Sequence, residues 1–191
     1  QALACLPGFS SRPPQRQHEG EEAAVADGRP ELDPASESMC ELAGELCEGF
    51  HVHPFHSDRF LRDSLLPESA RGLAKAGRTR KDIVLATSAF VIAGDSDEEI
   101  ASAKDAVRMQ IAFYASTRTY VRVLESHGWG DTCTRLNEKA AKGDWGGMAA
   151  LITDEMFAEY AIAGTHDEVP ALLRRKYAGR IDRLSFYTLP G

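Results

Sequence analysis

The stretch from Met39 to Phe55, MCELAGELCEGFHVHPF, constrains the fold of this chain more than any other. Apolar residues at positions 39, 42, 43 and 46 have helical spacing and predict one stripe on a helix. Gly49 is expected to end this helix, and residues 50–53 to follow as a short strand that Pro54 stops. Helix, glycine and short strand form the αβ half of a βα repeat. Chemistry in such folds sits at the carboxyl ends of the strands, so the stretch predicts both fold and site.

Strand and helix patterns alternate along the rest of the chain. Ser57 or Asp58 can cap a helix that ends near Gly77, with an interruption expected at Pro67. The later predicted elements are a buried strand over 82–93, a helix after 96, helical segments between 119 and 152, a strand over 157–163, a helix near 169–177 and a last strand over 181–189. This order predicts an α/β fold of parallel βα units. Four strands are too few for a closed barrel, so we expect a half-barrel with a helical insertion.

The first 37 residues differ in composition from the rest of the chain. Five of the nine prolines lie before residue 38, among Gly, Gln, Ser and charged side chains with almost no aliphatic pattern. Such a composition is typical of irregular or disordered segments. The predicted organisation is therefore an irregular segment over 1–37 and a folded domain over 38–191.

Composition excludes several functional classes. The net charge of −7 argues against a nucleic-acid-binding surface, and no apolar run reaches membrane-spanning length. The four cysteines form no CxxC pair, and Cys40 and Cys47 fall in a helix pattern as small buried side chains. We therefore expect a cytoplasmic protein in a reducing compartment, with no nucleic acid or membrane partner. P-loop, GxGxxG and Ser-His-Asp patterns are also absent from the sequence.

His51 and His53 are the first candidates for a functional site. Residues i and i+2 of a strand face the same side, so the two imidazoles, with nearby His56, could share a metal ion. Two other interpretations stay open. One histidine could face the site while the other bonds to backbone, or both could hold a planar cofactor or substrate. A metal-dependent hydrolase would need further ligands, for which only His127 and His166 follow in the chain, so no metal is predicted.

Ser36, Ser38 and Met39 lie where the first predicted helix begins. Free N–H groups and the helix dipole at such a position can hold a phosphate. An ordinary helix cap is the alternative interpretation of the two serines.

These residues also carry a family resemblance. MCELAGELCEGFHVHPFH resembles the M-x-x-L-A-G-E-x-x-D-G-x-x-x-H-P region of luciferase-like flavin or deazaflavin oxidoreductases, most closely the coenzyme F420-dependent group. The segment from Arg71 to Asp131 and the GTHDEV turn at 164–169 are similar to the same group. The resemblance covers residues 38 to 191. The strand of P-x-Y-I-A-A type that precedes the methionine helix in this family is missing here, as is the amino-terminal half of the barrel.

The resemblance implies the carboxy-terminal half of a TIM barrel of the bacterial-luciferase type. It implies coenzyme F420, with FMN as the alternative, and hydride transfer to an unknown small organic substrate. His51 and His53 would be catalytic residues facing the ring, and Ser36, Ser38 and Met39 would bind the phosphate side of the coenzyme. The chain is then expected to be truncated, and a homodimer would cover its exposed strand edges. A catalytically inactive fragment or interaction domain is the alternative.

Overall fold

The computed structural model describes residues 37–187. Strands and helices alternate over these residues, as the sequence predicts. The helices are α1 (Glu37–Leu46), α2 (Asp58–Phe60), α3 (Leu66–Lys75), α4 (Asp97–Ala115), α5 (Val121–Glu125), α6 (Gly130–Ala141), α7 (Trp145–Ala149), α8 (Asp154–Tyr160) and α9 (Val169–Tyr177). The strands are β1 (Gly49–Val52), β2 (Val84–Gly94), β3 (Ala161–Thr165) and β4 (Arg183–Phe186). A π-helical turn (Leu61–Leu65) joins α2 to α3, and 3-10 turns lie at Arg80–Asp82 and Arg118–Tyr120.

The long strand β2 organises an open, parallel sheet. Its residues 84–87 pair with β1, residues 86–89 with β4 and residues 90–94 with β3. Every pairing is parallel, so the predicted α/β class with βα repeats is confirmed. Alternate residues of β2 are buried, but the alternation shifts by one residue between Ala89 and Phe90, which are both buried. The shift occurs where the partner strands of β2 change.

The half of the sheet formed by β1, β4 and the start of β2 has two unlike faces. Residues paired in register share a face, as do residues two apart. One face, here called the covered face, carries buried residues of β1 and β2: Phe50, Val52, Leu85, Thr87 and Ala89. The opposite face, here called the open face, carries His51, Ala86, Ser88, Arg183 and Ser185. On the open face only Ala86 is buried.

Two glycines allow α1 and α3 to pack unusually closely. A Cβ atom on Gly72 would lie 1.8 Å from the carbonyl oxygen of Glu41, and one on Gly44 would lie 2.1 Å from that of Ser69. Any larger residue would therefore push the helices apart. Ion pairs from Glu41 to Arg71 and Lys75 lie along the edge of the same contact.

The stripe predicted for α1 is wrong in detail. Leu42 and Leu46 are 46% and 67% exposed, whereas the buried face is made by Cys40, Ala43 and Gly44. Small residues form this buried face because α3 approaches α1 so closely. Gly49 does not end the helix either. Helix α1 ends at Leu46, and Gly49 is the first residue of β1.

An arginine side chain, and not Gly49, stabilises the carboxyl end of α1. The Arg78 guanidinium donates to the carbonyl oxygens of Gly44 at 2.7 Å, of Glu45 at 3.1 Å and of Cys47 at 2.7 Å. The last carbonyls of a helix need such donors because they have no partner within the helix. The side chain therefore fixes the turn from α1 into β1.

Other local predictions have mixed outcomes. Ser57 caps α2 by accepting the Phe60 N–H, as expected, and the expected interruption at Pro67 appears as the π-helical turn before α3. The strand predicted over 157–163 is wrong in its first half, because Thr153 caps a helix that continues to Tyr160. No helix within residues 37–187 combines the length and apolar character needed to cross a membrane.

Candidate active site

The carboxyl ends of β1 and β4 lie at nearly the same level along β2. Val52 pairs with Thr87, and Phe186 pairs with Ala89. The residues that follow these two strands, His53 and Tyr187, both contact Tyr114 near the end of α4. This end of the sheet therefore brings together side chains from three parts of the chain.

His51 lies on the open face, where polar groups are aligned across three strands. It pairs with Ala86, whose other neighbour is Arg183. One step along the strands, the Ser88 and Ser185 hydroxyls are 2.8 Å apart and hydrogen-bonded. The open face thus offers an imidazole, two hydroxyls and a guanidinium on one side of the sheet, a donor set suited to a ligand with carbonyl or anionic groups.

His53 is the first residue after β1, and its ring lies between two tyrosine rings. Its ring stacks on Tyr120 at 4.5 Å and meets the edge of Tyr114 at 4.6 Å, while Nδ1 accepts the Phe55 N–H at 3.2 Å. Burial lowers the pKa of His53 to about 4, so the ring is neutral at pH 7. The arrangement matches the interpretation in which one histidine faces the site and the other bonds to backbone. That either is catalytic stays a prediction.

A pair of tyrosines completes the strand-end cluster. The Tyr114 and Tyr187 hydroxyls are 2.8 Å apart, and the Tyr187 ring lies 4.8 Å from Phe90. Burial raises the pKa of Tyr114, so its hydroxyl keeps its proton. Sequence reasoning placed Tyr114 in the apolar stripe of α4 and missed the cluster, because no local pattern links residues 73 positions apart.

His56 is fully buried behind this cluster. Its Nδ1 donates to the His53 carbonyl oxygen at 2.7 Å, and its Nε2 has no hydrogen-bond partner within the described part of the chain. Burial lowers the pKa of His56 to about 3. A charged imidazole would therefore strongly destabilise this part of the fold.

His127 and Ser57 contact each other without forming a catalytic triad. His127 Nε2 lies 2.8 Å from Ser57 Oγ and 3.8 Å from Glu159 Oε2, so the same nitrogen faces both groups. A triad needs the acid on the other nitrogen. Ser57 Oγ is also fully buried and accepts the Phe60 N–H. The contact is structural, which agrees with the absence of a hydrolase motif.

The predicted phosphate-side residues lie at the edge of the described region. Ser36 and the side chain of Ser38 fall outside the described residues, and Met39 is half-buried in the first turns of α1. Their coenzyme-binding role stays a prediction. No group of three or more His, Cys, Asp or Glu side chains among residues 39–187 is arranged to hold a metal ion.

Comparison with protein families gives one match over almost the whole chain. A family model described as luciferase-like monooxygenase matches residues 6–183. The match begins well before residue 38, within the segment that composition marks as irregular.

Curated relatives include an uncharacterised protein and several reductases. The chain is 40% identical over 148 residues to an uncharacterised protein of Mycobacterium tuberculosis, covering 78% of this chain and 44% of the relative. It is 36% identical over 138 residues to a 5,10-methylenetetrahydromethanopterin reductase of Archaeoglobus fulgidus, covering 69% and 39%. The chain thus spans less than half the length of the curated relatives it matches.

Two solved structures share the fold. One is a coenzyme F420 dependent tetrahydromethanopterin reductase from Methanopyrus kandleri, with a TM-score of 0.64 and 22% identity over 79% of this chain and 42% of that one. The other is an F420-dependent secondary alcohol dehydrogenase in complex with an F420-acetone adduct, with a TM-score of 0.52 and 13% identity over 78% and 40%. The open sheet described above is therefore part of a barrel of this type.

Proposed function

Because the chain belongs to the luciferase-like monooxygenase family, we propose that it is the carboxy-terminal part of an oxidoreductase dependent on coenzyme F420. The substrate would be a small organic molecule. The observation that carries the proposal is the similarity to tetrahydromethanopterin reductases, one of which is named as coenzyme F420 dependent. FMN is the alternative coenzyme.

The open face has groups that fit such a coenzyme. When bound, the deazaflavin would supply or accept a hydride at its ring carbon. The Arg183 guanidinium is exposed and would bind an anionic group, while the hydrogen-bonded hydroxyls of Ser88 and Ser185 would bind ring carbonyls. His51 would lie against the ring as the residue closest to the chemistry. Ser36, Ser38 and Met39 would bind the phosphate side.

The residues behind the open face would keep its geometry rigid. His53 is held by two tyrosine rings and a backbone N–H, and being neutral it places no charge behind the ring. The fully buried Leu85 and nearly fully buried Ala89 exclude water from the other side of the sheet. The proposed role of His53 is therefore to position the end of β1, which carries His51 towards the reacting groups.

Fluorescence titration of the purified chain with oxidised F420 and with FMN tests this proposal. We expect saturable binding of F420, weakened about tenfold by Arg183→Ala, because a charge-assisted hydrogen bond to an anionic group of the ligand is lost. Arg174→Ala, on the exposed side of α9, is the matched control and should leave binding unchanged. Binding of FMN alone would replace F420 as the coenzyme.

A non-catalytic fragment or interaction domain is the second candidate. It is favoured by one observation, that the chain spans less than half of its relatives' length. Absence of binding by both coenzymes in a sample that unfolds cooperatively would support this candidate and reject the oxidoreductase.

We also propose that a homodimer covers the outer edges of β1 and β4, which analytical ultracentrifugation would detect.

A further inference from the structure

One face of α1 is apolar and yet exposed. Leu42 and Leu46 lie one helical turn apart, so their side chains adjoin on the helix surface. Half-buried Met39, three positions before Leu42, extends the same surface, here called the leucine stripe. The described residues expose three other large apolar side chains, and each lies on a different element: Phe113, Trp145 and Phe186. A continuous apolar surface such as the leucine stripe is typical of a docking site.

The packing of α1 on α3 keeps the leucine stripe turned away from the domain. Gly44 meets the main chain of Ser69, and its position two residues after Leu42 places it about 200° around the helix, on the opposite side. A rotation of α1 that buried the leucines would break this close contact. The stripe is therefore left for an occupant other than α3.

Acidic side chains border the leucine stripe. Glu45 follows Leu42 by three positions and so lies beside it, and Glu48 is exposed just beyond the end of α1. Glu41 is paired with two basic side chains of α3, but neither Glu45 nor Glu48 has an ion pair within 4 Å among residues 37–187. An occupant that matches this surface would combine apolar with basic side chains.

The sequence that precedes α1 has this combination. Residues 2–9, ALACLPGF, supply two leucines and a phenylalanine. Arg12 and Arg16 follow, and the first acidic residue is Glu19. Residues 10–36 connect this stretch to α1 and could span at most about 90 Å, whereas α1 is about 15 Å long. The length of the connection therefore allows the stretch to reach any part of the stripe.

We propose that residues 2–16, here called the leading segment, dock on the leucine stripe of the same chain. The apolar side chains of the segment cover the two leucines, and its arginines pair with the acidic side chains that border them. A second copy of the chain is the rival occupant, but contact between two stripes would bring like charges together. The leading segment also has the higher effective concentration because it is tethered to α1. The proposal is independent of any coenzyme.

Limited digestion of the full chain with trypsin tests this docking, because the bond after Arg16 lies at the end of the leading segment. We expect cleavage there to be about tenfold faster in Leu42→Ser/Leu46→Ser than in the wild type, since a docked segment is cleaved mainly when it detaches. Trp145→Ser removes a similarly exposed side chain from α7 and should not change the rate. Cleavage after the exposed Lys142 monitors the fold in the same digest. Equal rates after Arg16 in the wild type and the double variant would overturn the proposal.

A charge variant separates the leading segment from a second copy and leaves the apolar surface intact. Glu45→Gln/Glu48→Gln should speed cleavage after Arg16 severalfold, because the arginines lose their partners. Glu138→Gln, at an exposed position of α6, is the matched control and should leave the rate unchanged. If a second copy covers the stripe, the double variant would instead associate more tightly in sedimentation, because like charges are removed, and cleavage would not change. An unchanged rate after Arg16 would reject the docking, whatever the sedimentation shows.

Discussion

The two faces of the sheet differ in burial and polarity: the covered face is a buried apolar surface, and the open face is polar and partly exposed. On the covered face, Phe50, Val52 and Leu85 are at most 5% exposed. On the open face, His51 and Ser88 are half-buried and Ser185 is exposed. The same strands therefore provide both faces, and only alternate residues take part in each.

This difference separates the residues that stabilise the fold from those that are available for function. Burying apolar side chains on the covered face stabilises the domain. The polar side chains of the open face add little to that stability and remain available to a ligand. We expect substitutions on the covered face to lower mainly the free energy of unfolding, and substitutions on the open face to weaken mainly ligand binding.

The largest expected effect is in the helix layer at the edge of the sheet. Gly72→Ala would place a Cβ atom 1.8 Å from the Glu41 carbonyl oxygen, so α1 and α3 must separate. We expect a loss of about 4 kcal/mol in the free energy of unfolding, measured by urea denaturation. Gly146→Ala is the control, because that helical position is open and alanine there should be neutral or slightly stabilising. Equal losses in both variants would contradict the close-packing explanation.

The close approach of α1 and α3 also shows where sequence reasoning failed. Helical periodicity correctly identified α1, and the alternation of elements gave the α/β class. An analysis of periodicity takes the most apolar face of a helix as the buried one, so it predicted burial of Leu42 and Leu46 instead of the face with Gly44. The buried face was decided by the backbone of α3, which Gly44 approaches at Ser69 and Leu73, and a local pattern does not reveal that fit.

A direct comparison of the two faces is the second prediction. Leu85→Ala, on the covered face, should lower the free energy of unfolding by about 3 kcal/mol because it leaves a cavity. Ser88→Ala, on the open face, removes one hydroxyl hydrogen bond to Ser185 and should cost at most about 1 kcal/mol. Urea denaturation of both variants measures the difference. Similar losses would mean that the open face is part of the core.

The sequence could place a candidate residue that lies on one strand, but it could not reveal a cluster formed where distant elements meet. The family resemblance is confirmed, and His51 lies on the open face as the strand position predicted. The period of two also predicted that His53 would face the same side as His51, but β1 ends at Val52, one residue before His53, so this stays a prediction. Tyr114 and Tyr187 come from α4 and from the end of β4, so their hydrogen bond depends on tertiary packing alone.

The smallest expected effect concerns pH, and it tests the buried histidine that follows β1, His56. Burial lowers the pKa of His56 to about 3, whereas an unfolded histidine titrates near 6.5. Below pH 6.5 the unfolded chain therefore binds a proton that the folded chain does not, and stability falls as the pH falls. Between pH 7 and 5 the loss from this residue should be on the order of 2 kcal/mol. His53, with its pKa lowered to about 4, adds a loss of the same sign.

The variant His56→Asn isolates the buried histidine. An asparagine amide can still donate to the His53 carbonyl oxygen but cannot take up a proton. Urea denaturation at pH 7 and 5 should therefore show a smaller loss of stability in this variant than in the wild type. His166→Gln, which changes an exposed histidine, serves as the control for the loss of a histidine at the surface. If His56→Asn keeps the full loss as well, the pH dependence arises elsewhere, and the surroundings of His56 tolerate charge better than their packing implies.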